Sequence, residues 1–327
     1  MKDDKLFLTY NQQMRKLRND KHIDCAGSIH KKILIRAGYF NIVNGYKTPF
    51  ISGQDANGNH IYISGTSISQ LQAVKQFDDQ LRSFLLKYIT QIEEETRTLA
   101  GYKFDECNEN GKIPWYDTNA YSPNKSLQEK MSVISKAYNE LSRSQLDYVK
   151  FYMDNHKQIP TWIMIKVDII QYSKTDVSHS LCHLYGLEDE QGRANVKLLI
   201  GSLHWMRKIR NACAHNERVY CLSRKNTPNK NSGRILERYF SSLCPGYSRK
   251  LDQRIIDLIV YFKYYLPANE YKTFMSELKN MLNNLESKIH PHAFEYIRAQ
   301  IGILNLSDLD SLIRLPKDDI EYNKFDN

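Results

Sequence analysis

Residues 67–99, SISQLQAVKQFDDQLRSFLLKYITQIEEETRTL, place an apolar side chain at every third or fourth position. Leu71, Val74, Phe77, Leu81, Phe84, Leu85, Tyr88 and Ile92 fall on one stripe, which predicts a long amphipathic helix from Ser67 to Leu99. Working outward, residues 49–66 change character. Pro49, Gly53, Gly58 and Gly65 punctuate them, and Asn57-Gly58 precedes the alternating Ile61-Tyr62-Ile63, so a short β-hairpin is expected near 50–64. Upstream, Thr9 and Gln12 form a capping-box pattern that starts a helix near Tyr10 and carries it to about Asn19. A second helix is expected from Cys25 to Ala37, stopped at Gly38.

Downstream, Gly111, Pro114 and Pro123 mark 101–124 as a loop. Helices resume over 126–142 and 144–155. Pro160 suits the first turn of a helix over Thr161–Tyr172, where its missing donor costs little. Asn195–Val219 reads as one helix, residues 223–234 as an exposed polar and basic loop, and 235–242, 251–266, 268–285 and 291–302 as further helices. No alternation of strand and helix suggests a parallel sheet. The expected fold is mainly α, with N-terminal helices, a small hairpin and additional C-terminal helices. Three regions follow: 1–66, 67–222 and 235–327.

The chain has 327 residues, 41% hydrophobic and 25% charged, which is enough for a sizeable core. A formal charge of +9 favours acidic partners, nucleic acid first. The N-terminus lacks the apolar core of a signal peptide. The most apolar C-terminal run, Ile255–Leu266, is short and contains Asp257 and Lys263, so neither secretion nor membrane insertion is expected. Six scattered cysteines without a CxxC pair read as reduced thiols in a cytosolic protein, with neither a zinc nor a disulfide framework.

The chemistry concentrates in residues 205–221, WMRKIRNACAHNERVYC. Arg210 supplies a fixed positive charge, Asn211 an amide and His215 the side chain that titrates near neutral pH. With Arg207, Lys208 and Arg218 around them, these residues can hold a phosphate and move a proton without a metal or cofactor. On one continuous helix Arg207, Asn211, His215 and Arg218 share a stripe, while Arg210 lies about 140° from His215 and inside the apolar flank. An arginine there needs a carboxylate or phosphate partner. Either the helix ends near Ala214, or a second copy completes the site in a symmetric dimer. The reaction these groups suit is RNA cleavage. His215 would act as general base on a ribose 2′-hydroxyl or general acid on the leaving 5′-oxygen, Arg210 would stabilise the phosphorane or hold the local fold, and Asn211 would bind a phosphate oxygen or orient the imidazole.

The string Arg-Asn-x-Cys-Ala-His-Asn-x-Arg resembles the R-x4-H motif of the HEPN ribonuclease superfamily, in the version found in Abi-like (AbiD/AbiF type) abortive-infection proteins of bacteria. The similarity extends to Phe7–Gln13, to Gly38-Tyr39-Phe40 with Asn44-Gly45-Tyr46 and Pro49-Phe50, to Phe77-Asp78-x-x-Leu81-Arg82 followed by Ile92-Glu93 and Arg97, and to Pro160-x-Trp162. It departs at Asn216, where a second histidine is common, and after Pro160. The resemblance implies a HEPN-like helical domain, a homodimer with a composite site, and RNA cleavage or binding in anti-phage defence, with a noncoding RNA or protein as restraint. It makes Arg210 and His215 catalytic, Asn211 supporting, and Glu93, Glu94 and Arg97 a nearby charged cluster in which Glu94 or Glu93 partners Arg210.

Plainer readings stand beside these. Glu95 suits a solvated helix face, and Glu93 with Arg97 an i,i+4 ion pair. His179 and His183 are spaced as metal ligands but lack a third. His290-Pro291-His292 suits a turn at a helix start. Tyr261–Tyr265 suits core packing more than base stacking. Arg224, Lys225, Lys230 and Arg234 are candidate RNA contacts. The alternative to an endoribonuclease is a non-catalytic RNA-binding or dimerisation module regulated by a partner RNA or protein, and a third reading is one half of a toxin–antitoxin pair with a nucleotidyltransferase.

Overall fold

A computed structural model describes residues 7–156, 158–189, 191–224, 253–314 and 319–325. Among the described residues the chain is mainly helical with one two-stranded antiparallel sheet, the expected class. Helix α1 (Tyr10–Lys21) starts at a closed capping box. The Thr9 amide donates to Gln12 Oε1 at 2.8 Å, and the Gln12 amide donates back to the Thr9 hydroxyl. Helix α2 (Gly27–Ala37) begins two residues later than the periodicity suggested and ends at Gly38. The hairpin pairs β1 (Ile51–Gln54) with β2 (His60–Tyr62). Its loop is tied by Asp55, whose carboxylate accepts the Asn57 and Asn59 amides, and Gly58 takes a φ of 78°.

Helix α3 (Ile68–Cys107) is the organising element, about 60 Å long at 1.5 Å per residue. It runs on to Cys107, into the start of the 101–124 stretch that reads as loop from the sequence. Glycine within a helix costs roughly 1 kcal/mol against alanine. Burial of a phenylalanine, here Phe104, contributes roughly 1.5–3 kcal/mol and outweighs it. Asn108 then closes the helix, donating from Nδ2 to the carbonyls of Phe104 at 2.8 Å and Ala120 at 3.3 Å. Helix α4 (Leu127–Ser142) starts at a second closed capping box, Ser126 with Glu129, and α5 (Asp147–Asn155) follows.

The expected helix over Thr161–Tyr172 is two, α6 (Thr161–Met164) and α7 (Val167–Tyr172), with Pro160 as the cap. Met164 and Ile165 are buried, and so are Ile169 and Ile170. On one helix the two pairs would lie about 140° apart and could not share a face. An extended Ile165–Lys166 link turns both pairs inward. Helix α8 (Thr175–Tyr185), not anticipated from the sequence, packs on α3 and α9 (Val196–Ala214). His183 on α8 faces Glu188, and no group of three potential metal ligands occurs among the described residues.

In the C-terminal part, α10 (Ile255–Tyr265) is buried on every side, including the Tyr261–Tyr265 run, as a core helix should be. Helix α11 (Ala268–Glu286) brings Phe274 against Phe84 of α3, stacked at 4.8 Å, and edge-on to Phe262 of α10 at 5.0 Å. Helix α12 (Pro291–Ile301), capped by His290, packs on the Thr48–Phe50 turn. It ends at Gly302, where φ is 96° and a Cβ would sit 2.6 Å from Ile256 Cγ2, so only glycine fits. Helix α13 (Ser307–Arg314) follows. The helix expected over 235–242 lies outside the described residues. Among the described residues no helix is long and apolar enough to cross a membrane.

Candidate functional site

Helix α9 carries the Arg210–His215 motif, and its apolar face explains its position. Asn195 caps it by accepting the Leu198 amide at 3.1 Å. Leu199, Leu203, Met206 and Ile209 are buried, the helix packs on α3, and Trp205 donates from its indole to the Arg254 carbonyl at 3.1 Å. The Ser202 and Tyr265 hydroxyls meet at 2.7 Å, a second pin between α9 and α10.

The helix ends at Ala214, five residues before Val219, and the reason is Asn216. The Asn216 amide donates to the Cys213 carbonyl and the Glu217 amide to the Ala212 carbonyl, with Asn216 at a φ of 55°. This is a Schellman termination, with asparagine in the left-handed position that glycine usually fills. His215 is therefore the last, half-helical residue, and its side chain is exposed, as is that of Asn211. Arg207, Asn211, His215 and Arg218 do not form one stripe. Arg218 has left the helix and donates to the Gly45 carbonyl at 2.6 Å.

The segment after His215 is fastened by a carboxylate the motif did not announce. Asp78 of α3 is fully buried. Its Oδ1 accepts the amides of Val219 at 3.1 Å and Tyr220 at 3.0 Å, and its Oδ2 accepts the Tyr46 hydroxyl at 3.0 Å and the Arg82 guanidinium at 2.9 Å. Burial pushes the Asp78 carboxyl upward, and these four donors oppose it. Arg82 also donates to the Glu217 carbonyl at 3.2 Å and pairs with Asp79. The Tyr46 ring stacks on Tyr220 at 6.4 Å. A cleft of about 990 Å³ opens beside this knot, lined by Phe40, Asn44, Lys75, Asn216 and Arg218 among others.

Arg210 faces the other way. Its Nε lies 3.5 Å from Glu93 Oε2 on α3, so Glu93 is the carboxylate beside it, while Glu94 is exposed. Arg210 is half-buried (its side chain 39% exposed) and not inside the apolar flank. Its Nε is buried without a hydrogen-bond partner. A small cleft of about 80 Å³ gathers Arg210, Glu93, Arg97, Arg207 and Lys166. Arg97 does not pair with Glu93 there. Glu95 is not solvated either: it accepts the hydroxyls of Tyr185 at 3.0 Å and Tyr322 at 3.1 Å.

Arg207 donates to Asp168 at 3.3 Å and to His204 Nδ1 at 3.1 Å. Burial works against the Asp168 carboxylate, yet Lys136 and Arg207 hold it below the ordinary carboxylate range. Burial, and then the Arg207 charge, keep His204 below its usual value. Cys213 is buried, which pushes its thiol up to about 12 and leaves it without thiolate character near neutral pH.

Of the residues singled out from the sequence, Arg210, Glu93, Arg97 and Arg207 line one cleft. His215 and Asn211 are exposed and line neither that cleft nor the larger one. Arg224 pairs through its backbone with Gln253, and Lys225, Lys230 and Arg234 lie outside the described residues. Asp78, Tyr46 and Lys166 were missed as site residues. Asp78 and Tyr46 carry a signal only as members of the segments that resemble the family.

The fold and site define a helical protein whose motif helix stops at an exposed histidine, five residues after an arginine that lines a small cationic cleft. The chain matches the model of the Abi-like protein family over residues 32–221, more than half its length, and belongs to that family. No curated protein and no solved structure matches it.

Proposed function

We propose that this Abi-like protein is a metal-independent endoribonuclease of a bacterial abortive-infection system, acting through a HEPN-type site shared by two copies of the chain. The observation that carries the reading is the divided setting of the motif. Arg210 sits in a cationic cleft with an unsatisfied Nε, while His215, five residues on, is exposed at the helix end. An imidazole so exposed can take the proton from a ribose 2′-hydroxyl or return one to the 5′-oxygen. The Arg210 side chain is 39% exposed beside Glu93, and its remaining N–H groups can bind a phosphate oxygen with charge-assisted bonds. Asn211, exposed one turn before His215, can donate to the same phosphate. Pairing of two copies along α9 would bring the two copies' histidines and arginines to one phosphate.

Cleavage of RNA by purified protein in EDTA, compared with His215→Ala and Arg210→Ala, tests this. Wild type cuts, both variants lose at least about a hundredfold in rate, and expression of either variant no longer arrests growth. Equal cleavage by wild type and His215→Ala removes the assignment. The second reading, a non-catalytic RNA-binding or dimerisation module, draws on the Arg210–Glu93 contact, which gives the arginine a structural role. It requires steeply salt-dependent RNA binding with no cleaved product.

A further inference from the structure

The small Arg210 cleft does not stand alone. Lys166, on the extended link between α6 and α7, lines both that cleft and an open groove of about 690 Å³ along α4, whose walls include Lys136, Asn139 and Arg143. Six cations therefore follow one another on this face: Arg97, Arg207, Arg210, Lys166, Lys136 and Arg143. Three carboxylates stand against them. Glu93 is beside Arg210, Asp168 lies between Lys136 and Arg207, and Glu140 pairs with Lys166. Half of the positive charge is left uncompensated, and Arg97 and Arg143 have no carboxylate partner among the described residues. The Lys136 and Lys166 side chains are 55% and 48% exposed. Exposed pairs of this kind are weak and exchange partners readily.

An aromatic step adjoins the track. Trp162 of α6 packs its backbone on Gly101, which is one turn beyond Arg97 on the same face of α3. Trp162 is 47% exposed, and its ring stacks on that of Tyr148, a residue 45% exposed, at 6.0 Å. Cations along a groove with exposed rings beside them suit an unpaired nucleic-acid strand, whose bases are free to stack.

We infer that single-stranded RNA flanking the cleaved phosphate runs from the Arg210 cleft over Lys166 into the α4 groove, with Trp162 as a stacking platform. This rests on the proposed RNA cleavage and adds where the strand lies. The test is fluorescence anisotropy with a short end-labelled single-stranded oligoribonucleotide and its duplex, in EDTA and across a salt series. All chains carry His215→Ala so that nothing is cut. Reversal of Lys136, Arg143 and Lys166 to Glu, and the matching triple Ala variant, each weaken single-strand binding at least about tenfold and make the log–log salt slope shallower by about 2. Trp162→Ala weakens binding with the slope unchanged. An equal charge reversal on the exposed faces of α1 and α2 (Lys16, Lys32 and Arg36 to Glu) has little effect.

Undiminished binding by the α4 variants, the same loss in the α1–α2 control, or a preference for duplex overturns the track while leaving RNA cleavage standing. Absence of RNA binding by every chain, including the one with His215→Ala alone, overturns both. Circular dichroism of each variant confirms that the fold is kept.

Discussion

Replacing Asp78 should release the segment that follows His215, and the size of the effect follows from its four bonds. In Asp78→Asn, Oδ1 survives as an acceptor for the Val219 and Tyr220 amides, while Oδ2 becomes an NH₂ facing the Tyr46 hydroxyl and Arg82. The charge-assisted bond to Arg82 is lost, worth about 1.5–3 kcal/mol. Arg82 keeps Asp79 and the Glu217 carbonyl, and the hydroxyl can turn to accept, so the expected cost is about 2 kcal/mol. Asp78→Ala also strands two buried amides at roughly 1–3 kcal/mol each. Because the four bonds share one group they are not additive, and about 5 kcal/mol in total is expected.

Urea unfolding followed by far-ultraviolet circular dichroism measures both costs. Hydrogen exchange locates them: Val219 and Tyr220 amides lose protection in Asp78→Ala and largely retain it in Asp78→Asn. An Asp78→Ala chain within about 0.5 kcal/mol of wild type, a typical surface effect, would refute this account of how the motif's end is held. So would unchanged protection of those two amides.

Two further outcomes bear on stability. Asp257, the buried capping carboxylate of α10, accepts the Arg254 amide at 2.7 Å, and burial pushes it up to about 7. A folded pKa above the unfolded one means that its contribution is intact below about pH 4 and is lost as pH rises to about 7, at up to roughly 1.4 kcal/mol per unit. Unfolding free energies across that range should fall more steeply for wild type than for Asp257→Asn, and parallel curves would contradict the shift. At Asn216, Val should cost about 1–2 kcal/mol because a β-branched residue resists positive φ, while Gly should stay within about 0.5 kcal/mol of wild type. Equal melting of the two variants would mean that the left-handed cap does not set where α9 ends.

Local signals were legible in the sequence and distant ones were not. Thr9 with Gln12, Ser126 with Glu129 and the α3 stripe each hold their partners within a few residues, so the helices they start were readable. The end of α9 was also written locally, in Asn216, and an end near Ala214 was one of the two ways to reconcile Arg210 with His215, although the polar pattern continues to Val219. The turn at Ile165 became necessary only because two buried pairs share one core face. Asp78 looked like one acidic residue of a helix because its amide partners lie 141 and 142 residues away. Glu95 is alike: one of its tyrosines, Tyr322, is 227 residues distant. Glu94 and Glu93 stood beside Arg210 only through the family resemblance, and the contact falls on Glu93 because it lies on the α3 side that faces α9 while Glu94 is exposed.

The ends left on cut RNA test the proposed proton transfer most directly. With His215 acting on the ribose 2′-hydroxyl, wild-type protein in EDTA should leave 2′,3′-cyclic phosphate and 5′-hydroxyl termini. A single 2′-deoxy substitution at the cleaved position should abolish the cut, and His215→Ala should leave the RNA whole. Cleavage that survives the 2′-deoxy substitution, or leaves 3′-hydroxyl ends, would contradict the account.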